Sequence, residues 1–313
     1  LNTAALVERI AHTIIPVFLI VAVGWGYGRR HRPDMSLIGR LALDVFSPAL
    51  VFASFTRSDF DLGAELRLIA AAVCLLLGCG AVAWIAARAL GVRAETRATL
   101  MVASMFNNTG NMGLPLALLA FGPQGLPAAV AIFVAGNLLH FTLGVKLLAP
   151  RASLAHLLWS PLNLALLLGL ASAASGIRPP EPINQGLRML GEGMLPLMLF
   201  ALGVRLNDLN LSGLRIGLAG ALLRPLSGLL VAPLVVAAFG LVAPLSAEAR
   251  AQLFLYAALP PAVLNFMLAD RYGHEPQMMA AIVLAGNALA LLFVPIGLAL
   301  GLSPTVGAWL GSP

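Results

Sequence analysis

The sequence predicts an all-α integral membrane protein of ten transmembrane helices arranged as two inverted five-helix repeats. Three observations carry this reading. The 313-residue chain is 60% hydrophobic and only 10% charged, a balance with which a soluble domain of this size could not keep a polar surface. Apolar segments of the roughly 20 residues needed to cross a hydrocarbon core recur along its whole length. The second half also repeats, in order, the landmark residues of the first.

The segments lie near 10–28, 37–56, 66–88, 97–121, 125–148, 154–177, 187–205, 214–240, 249–272 and 276–301. The loops between them are short and leave no room for a separate soluble domain. Segment 1 follows Glu8 and Arg9 and precedes RRHR at 29–32, the wrong polarity for a cleaved signal peptide. Of the 19 Lys and Arg residues, twelve fall in odd-numbered loops, six in even loops or before segment 1, and Arg224 inside segment 8. That bias predicts odd loops in the cytoplasm and both termini outside it. The net charge of +6 follows from this alternation and calls for no nucleic-acid partner. Cys74 and Cys79 share one apolar segment and read as core residues. The five histidines show no metal-ligand spacing, so no metal or cofactor is expected.

The repeat has a spacing near 148 residues. Pro16 and Gly24 of segment 1 answer Pro161 and Gly169 of segment 6. LDVFSPALVFASF, with Asp44 four before Pro48, answers GEGMLPLMLFALG, with Glu192 four before Pro196. Gly136-Asn137 answers Gly286-Asn287. Each unit holds an odd number of segments, so 1–152 and 153–313 enter the membrane from opposite sides, as in many secondary transporters.

Such folds place the substrate where corresponding helices are interrupted. The interruptions expected here are FNNTGNMGLP (106–115) in segment 4 and LPPAVLN (259–265) in segment 9. Gly110, Gly113 and Pro115 in the first, and Pro260 and Pro261 in the second, free backbone groups that hydrocarbon penalises by several kcal/mol each. A half-helix N-terminus presents donors and partial positive charge to an anion, and asparagine amides donate to carboxylate oxygens. Asn108, Asn111 and Asn265 are therefore candidate substrate ligands; the alternative is that their amides only satisfy the kinks. Asn137 and Asn287 are further candidates, or inter-helix hydrogen bonds. Arg224 is a membrane-buried cation that offsets a substrate charge, pairs an acid or snorkels. Asp44, Glu192 and His140 are candidates for coupling H+ or Na+; hydrogen bonding at an interface or in the core is the alternative for each.

These motifs resemble the auxin efflux carrier family, which includes plant PIN proteins and bacterial carriers of small carboxylates and has a fold like the bile-acid sodium symporters. NTGNMGLPL (108–116) resembles the family's first crossover, AALPPAVLNFMLADRY (257–272) its second, and GEGMLPLMLFALG (191–203) its seventh helix. Asn107 and Asn265 stand where the plant proteins have prolines, and the long loop after segment 5 is absent. The resemblance implies an elevator-type carrier in a bacterial inner membrane. Segments 1, 2, 6 and 7 would form a scaffold that dimerises through segments 2 and 7, and segments 3–5 and 8–10 a moving transport domain.

The expected function is secondary transport of a small organic anion, a carboxylate or an auxin-like acid; an anion channel or a membrane sensor is the alternative. An enzyme would need a nucleophile with its base, a metal motif such as HExxH or a Walker motif, and the sequence has none. The loop bias makes a direct prediction: a cysteine placed near Pro313 should react with an impermeant reagent in right-side-out vesicles. Labelling only after lysis would reverse the orientation.

Overall fold

Proline stands at several of the interruptions in this chain's helices. The computed structural model describes residues 3–56, 62–152, 161–205, 207, 214–303 and 305–306; the loop carrying Arg57, the C-terminal tail and the start of the expected second repeat lie outside the described residues. Among the described residues the chain is helical, without strands apart from one isolated bridge. Six helical spans are long and apolar enough to cross a membrane: Leu37–Phe55, Leu66–Ala89, Pro123–Leu148, Glu181–Val204, Gly217–Val242 and Pro276–Leu302. Thr109–Phe121 and Pro161–Ser175 are shorter apolar helices.

In chain order, α1 (Thr3–His31) leads to α2 (Ser36–Leu41), a π-turn (Ala42–Phe46) and α3 (Ser47–Phe55). Next come α4 (Leu62–Ala89), α5 (Ala94–Met105), a π-turn (Thr109–Gly113) and α6 (Leu114–Phe121). The first half ends with α7 (Leu126–Leu139), a π-turn (His140–Gly144) and α8 (Val145–Leu148). The second comprises α9 (Pro161–Ser175), α10 (Glu181–Arg205), α11 (Leu214–Val242), α12 (Ala247–Ala258), α13 (Val263–Arg271) and α14 (Pro276–Leu302).

Two of the π-turns stand immediately before a proline at the start of the next helix, Pro48 and Pro115. A helical proline clashes with the carbonyl four residues earlier, here Asp44 and Asn111. Widening the turn by one residue moves that carbonyl aside. Pro196, four after Glu192, is instead carried within the continuous helix α10.

Packing divides the helices into neighbourhoods. α1 lies along α10, and α3 lies against α9 and α10. Separately, α4 packs on α5, α7 and α11, while α14 packs on α11 and α12. The α1–α10 contact is made backbone to backbone: a Cβ on Gly24 would lie 2.2 Å from the Phe200 carbonyl oxygen, and one on Gly203 would lie 2.0 Å from that of Val21. Small residues of this kind let membrane helices approach closely enough for dispersion to hold them. Gly203→Leu should therefore force α1 and α10 apart at a cost of roughly 1–3 kcal/mol or more. The measurement is thermal unfolding in detergent, and an unchanged midpoint would refute this contact.

Candidate functional site

The two proline-rich interruptions meet. Segment 4 leaves the α-helix at Met105, runs extended through Phe106 and restarts in the π-turn at Thr109. Segment 9 leaves it at Ala258 and restarts at Val263. Between the breaks the chains pair antiparallel at Asn107 and Pro261. The Asn108 N–H donates to the Pro260 carbonyl (2.8 Å) and the Ala262 N–H to that of Phe106 (2.9 Å).

Pro260 has no N–H, so the Tyr256 carbonyl four residues earlier loses its helical donor. Two side chains replace it: Asn107 Nδ2 at 2.6 Å and Arg224 Nη2 at 2.9 Å. Arg224 Nη1 also reaches Cys79 Sγ at 3.2 Å. Arg224 is fully buried and outside the residues lining the cavity described next, so its charge stands behind the crossover. No carboxylate pairs with it among the described residues.

The other asparagines bind the crossover to its surroundings. Asn265, fully buried, donates Nδ2 to the Phe106 carbonyl at 2.9 Å, and its Oδ1 has no partner among the described residues. Asn108 Nδ2 donates to Asn287 Oδ1 at 2.8 Å, and Asn287 Nδ2 to the Val283 carbonyl at 2.8 Å. Asn137 donates to the Phe133 carbonyl at 2.9 Å, within its own helix. Thr109 Oγ1 donates to Asn107 Oδ1.

A cavity of about 100 Å³ opens on this crossover, room for several water-sized groups; its lining includes Asn107, Asn108, Thr109, Gly110, Asn111, Asn137 and His140. The first turns of both restarting helices, Thr109–Asn111 and Ala262–Leu264, also face it. N–H groups at such positions have no helical partner, so two half-helix N-termini converge on one space and favour an anion there. The opposite wall is apolar: Gly39, Ala42, Met194, Met198 and Ala201. His140 stacks on Phe106, with ring centres 4.2 Å apart.

A larger cavity of about 1060 Å³ adjoins it, sharing Val263 and Met267 and reaching Asn287. Its rim carries Arg29, Arg32 and Asp34 at the end of α1, opposite α13 and α14. Arg29 lies over the Trp25 ring, 5.4 Å from its centre. The structure thus brings Asn108, Asn111, Asn137 and His140 to one cavity. Asn265, Pro260 and Pro261 build its frame, and Asn287, bonded to Asn108, lines the larger cavity. Asp44 and Glu192 are exposed on the outer surface of their helices, away from this lining. Sequence reasoning missed Asn107 and the methionine wall; counting four back from Pro260 exposes the orphan carbonyl but does not name its donors.

With this geometry in view, the comparisons are direct. The chain matches the family described as "Membrane transport protein" over residues 9–157 and 151–298 and belongs to that auxin-efflux-carrier-like family. It is an integral membrane protein of a transporter family. It is 27% identical to an uncharacterized transporter of Methanothermobacter thermautotrophicus, across 91% of this chain and 96% of the other. A second uncharacterized transporter, from Methanocaldococcus jannaschii, is 20% identical across 90% and 96%. A Rhizobium meliloti protein provisionally named a malonate transporter is 29% identical over 116 residues, 33% of this chain and 36% of its own.

The Asn107 bond predicts an asymmetric response to isosteric change. Asn107→Ala should cost about 1–3 kcal/mol of stability. Asn107→Asp should cost at least as much, because a carboxylate only accepts and would face the Tyr256 carbonyl. Thermal unfolding in detergent compares them, and an Asp variant as stable as wild type would contradict the assignment.

Proposed function

We propose that this chain is a secondary transporter that carries small organic anions, in the first instance carboxylates of malonate size, by an elevator-type movement. The observation that carries the reading is the division of the cavity wall. Every polar group sits on the crossover side, from Asn107 to Asn111 with Asn137 and His140, and the facing wall offers Gly39, Ala42 and the thioethers of Met194 and Met198. A polar site can slide along such a wall without breaking hydrogen bonds to it, and methionine adapts its shape to what passes.

In this reading α1–α3, α9 and α10 are the fixed scaffold, and α4–α8 with α11–α14 move. The packing neighbourhoods support that division. The ordered landmarks of the two halves and the antiparallel crossover support an inverted repeat of ten segments, one broken helix from each half building the site. The substrate carboxylate lies against the free N–H groups of the restarting helices, with Asn108 and Asn111 as side-chain donors. Arg224 adds positive potential from behind the frame. H+ or Na+ supplies the drive.

The same reading makes the protein a homodimer of a bacterial inner membrane, with both termini outside the cytoplasm. Glu192 lies near the middle of α10 on an exposed face with Met189 and Gly193, and Asp44 is exposed on the second segment. A charged group at mid-membrane costs about 2.5–3.5 kcal/mol or more against lipid. A second copy packed on this face, through segments 2 and 7, removes that exposure.

Binding of malonate and propionate by calorimetry tests the reading. Wild type should bind at least one. Asn108→Ala and Asn265→Ala, each costing on the order of 1–3 kcal/mol, should weaken binding roughly 5- to 150-fold. The double variant should lose less than the sum, because both residues serve one ligand through one frame. Unchanged affinity in both folded single variants would reduce the asparagines to groups that satisfy the kinks.

A further inference from the structure

Among the described residues that line the cavity, one has a titratable side chain. Around it, α2 and the π-turn after it contribute Gly39 and Ala42, α4 contributes Leu76, and α10 contributes Met194, Met198 and Ala201. The crossover contributes asparagines, Thr109, Gly110 and Phe106, and α13 contributes Val263, Leu264 and Met267. α7 adds Phe133, Gly136 and Asn137. His140, at the head of the π-turn that follows α7, is the one side chain among these that can carry a proton as an imidazolium. Its surroundings are equally spare. His140 is buried, and the side chain that interacts with its ring is the amide of Asn265, itself part of the crossover frame. The charged groups that could compete with it stand elsewhere: Arg224 behind the crossover on Tyr256, Asp44 and Glu192 on the outer surface, Lys146 on the carbonyls of Pro150 and Ala152.

We propose that His140 is the coupling-proton site: one H+ binds its imidazole as the anion enters the cavity, and both cross together. This rests on the transport reading above and names the driving ion that reading left as H+ or Na+. The energetic logic is mutual. An isolated charge is costly in a dry site, whether imidazolium or carboxylate, but the two together offset one another. Each therefore raises the occupancy of the other, and the linkage is reciprocal. The balance is simple: H+ comes from the water on the loading side, resides on an imidazole nitrogen and leaves to water on the far side. A dianion then moves one net negative charge per cycle rather than two. The imidazole is stacked on the crossover itself, on Phe106, whose carbonyl holds both Ala262 and Asn265. A proton gained or lost at that ring is felt by the frame that must move.

The test uses the purified full chain in proteoliposomes and in detergent, with malonate as the probe. Wild type should take up H+ and malonate together in near one-to-one ratio, read by a trapped pH dye and by labelled malonate. Its apparent affinity should rise as pH falls, by up to about tenfold per unit, because bound malonate favours the protonated ring. His140→Gln should lose the H+ flux and flatten the pH dependence to the background of malonate's own ionisation, which is common to both proteins. Equal H+ flux and pH dependence in the folded variant would overturn the inference, as would Na+-dependent uptake without H+ movement in wild type. If His140→Gln fails to fold, the wild-type H+:malonate ratio still decides, and a ratio near zero refutes the inference. Wild type that binds no small carboxylate would sink the transport reading itself, a result separable from all of these.

Discussion

A backbone carbonyl that loses its helical donor inside a membrane has no water to turn to, and this protein is organised around one such group. Pro260 and Pro261 deprive the end of α12 of two N–H groups. The Tyr256 carbonyl is then held by Asn107 from the first half of the chain and by Arg224 from α11. The fit leaves no spare room: a Cβ on Gly228, one turn along from Arg224, would sit 2.0 Å from the neighbouring Ala257 carbonyl oxygen. α11 therefore lies directly against the end of the broken helix, where its arginine can reach.

From that constraint the cavity follows. Stitching the breaks together through Asn108, Ala262 and Asn265 fixes the direction of both restarting helices, so that their first turns face one space. The donors that remain free there belong to main-chain N–H groups and to Asn111, which is only half-buried and has no hydrogen bond to another described residue.

Much of this was legible in the sequence. Breaks in segments 4 and 9 follow from where glycine and proline interrupt apolar runs, and the family motifs at 108–116 and 257–272 pointed to the same residues. Even the π-turns before Pro48 and Pro115 have a local cause, in the residue that precedes each of these prolines by four. The roles within the site were less legible. Asn265 and Asn108 have the residue type of a ligand, yet their nitrogens donate to the Phe106 carbonyl and to Asn287. Asp44 and Glu192 have the residue type of coupling acids, yet both face outward.

By itself, then, the sequence determined the class of solvent this chain must fold in and the positions at which segments 4 and 9 must break. Each depends on composition or on spacings of a few residues. The tertiary structure alone decided which donor meets which orphan carbonyl, which asparagines face open space, and that His140 stacks on Phe106 at the cavity. Those outcomes depend on groups as much as 179 residues apart in the chain, as Asn108 and Asn287 are. A side chain's chemistry specifies what it can bond, but only the packing of distant helices specifies what lies within 3 Å of it.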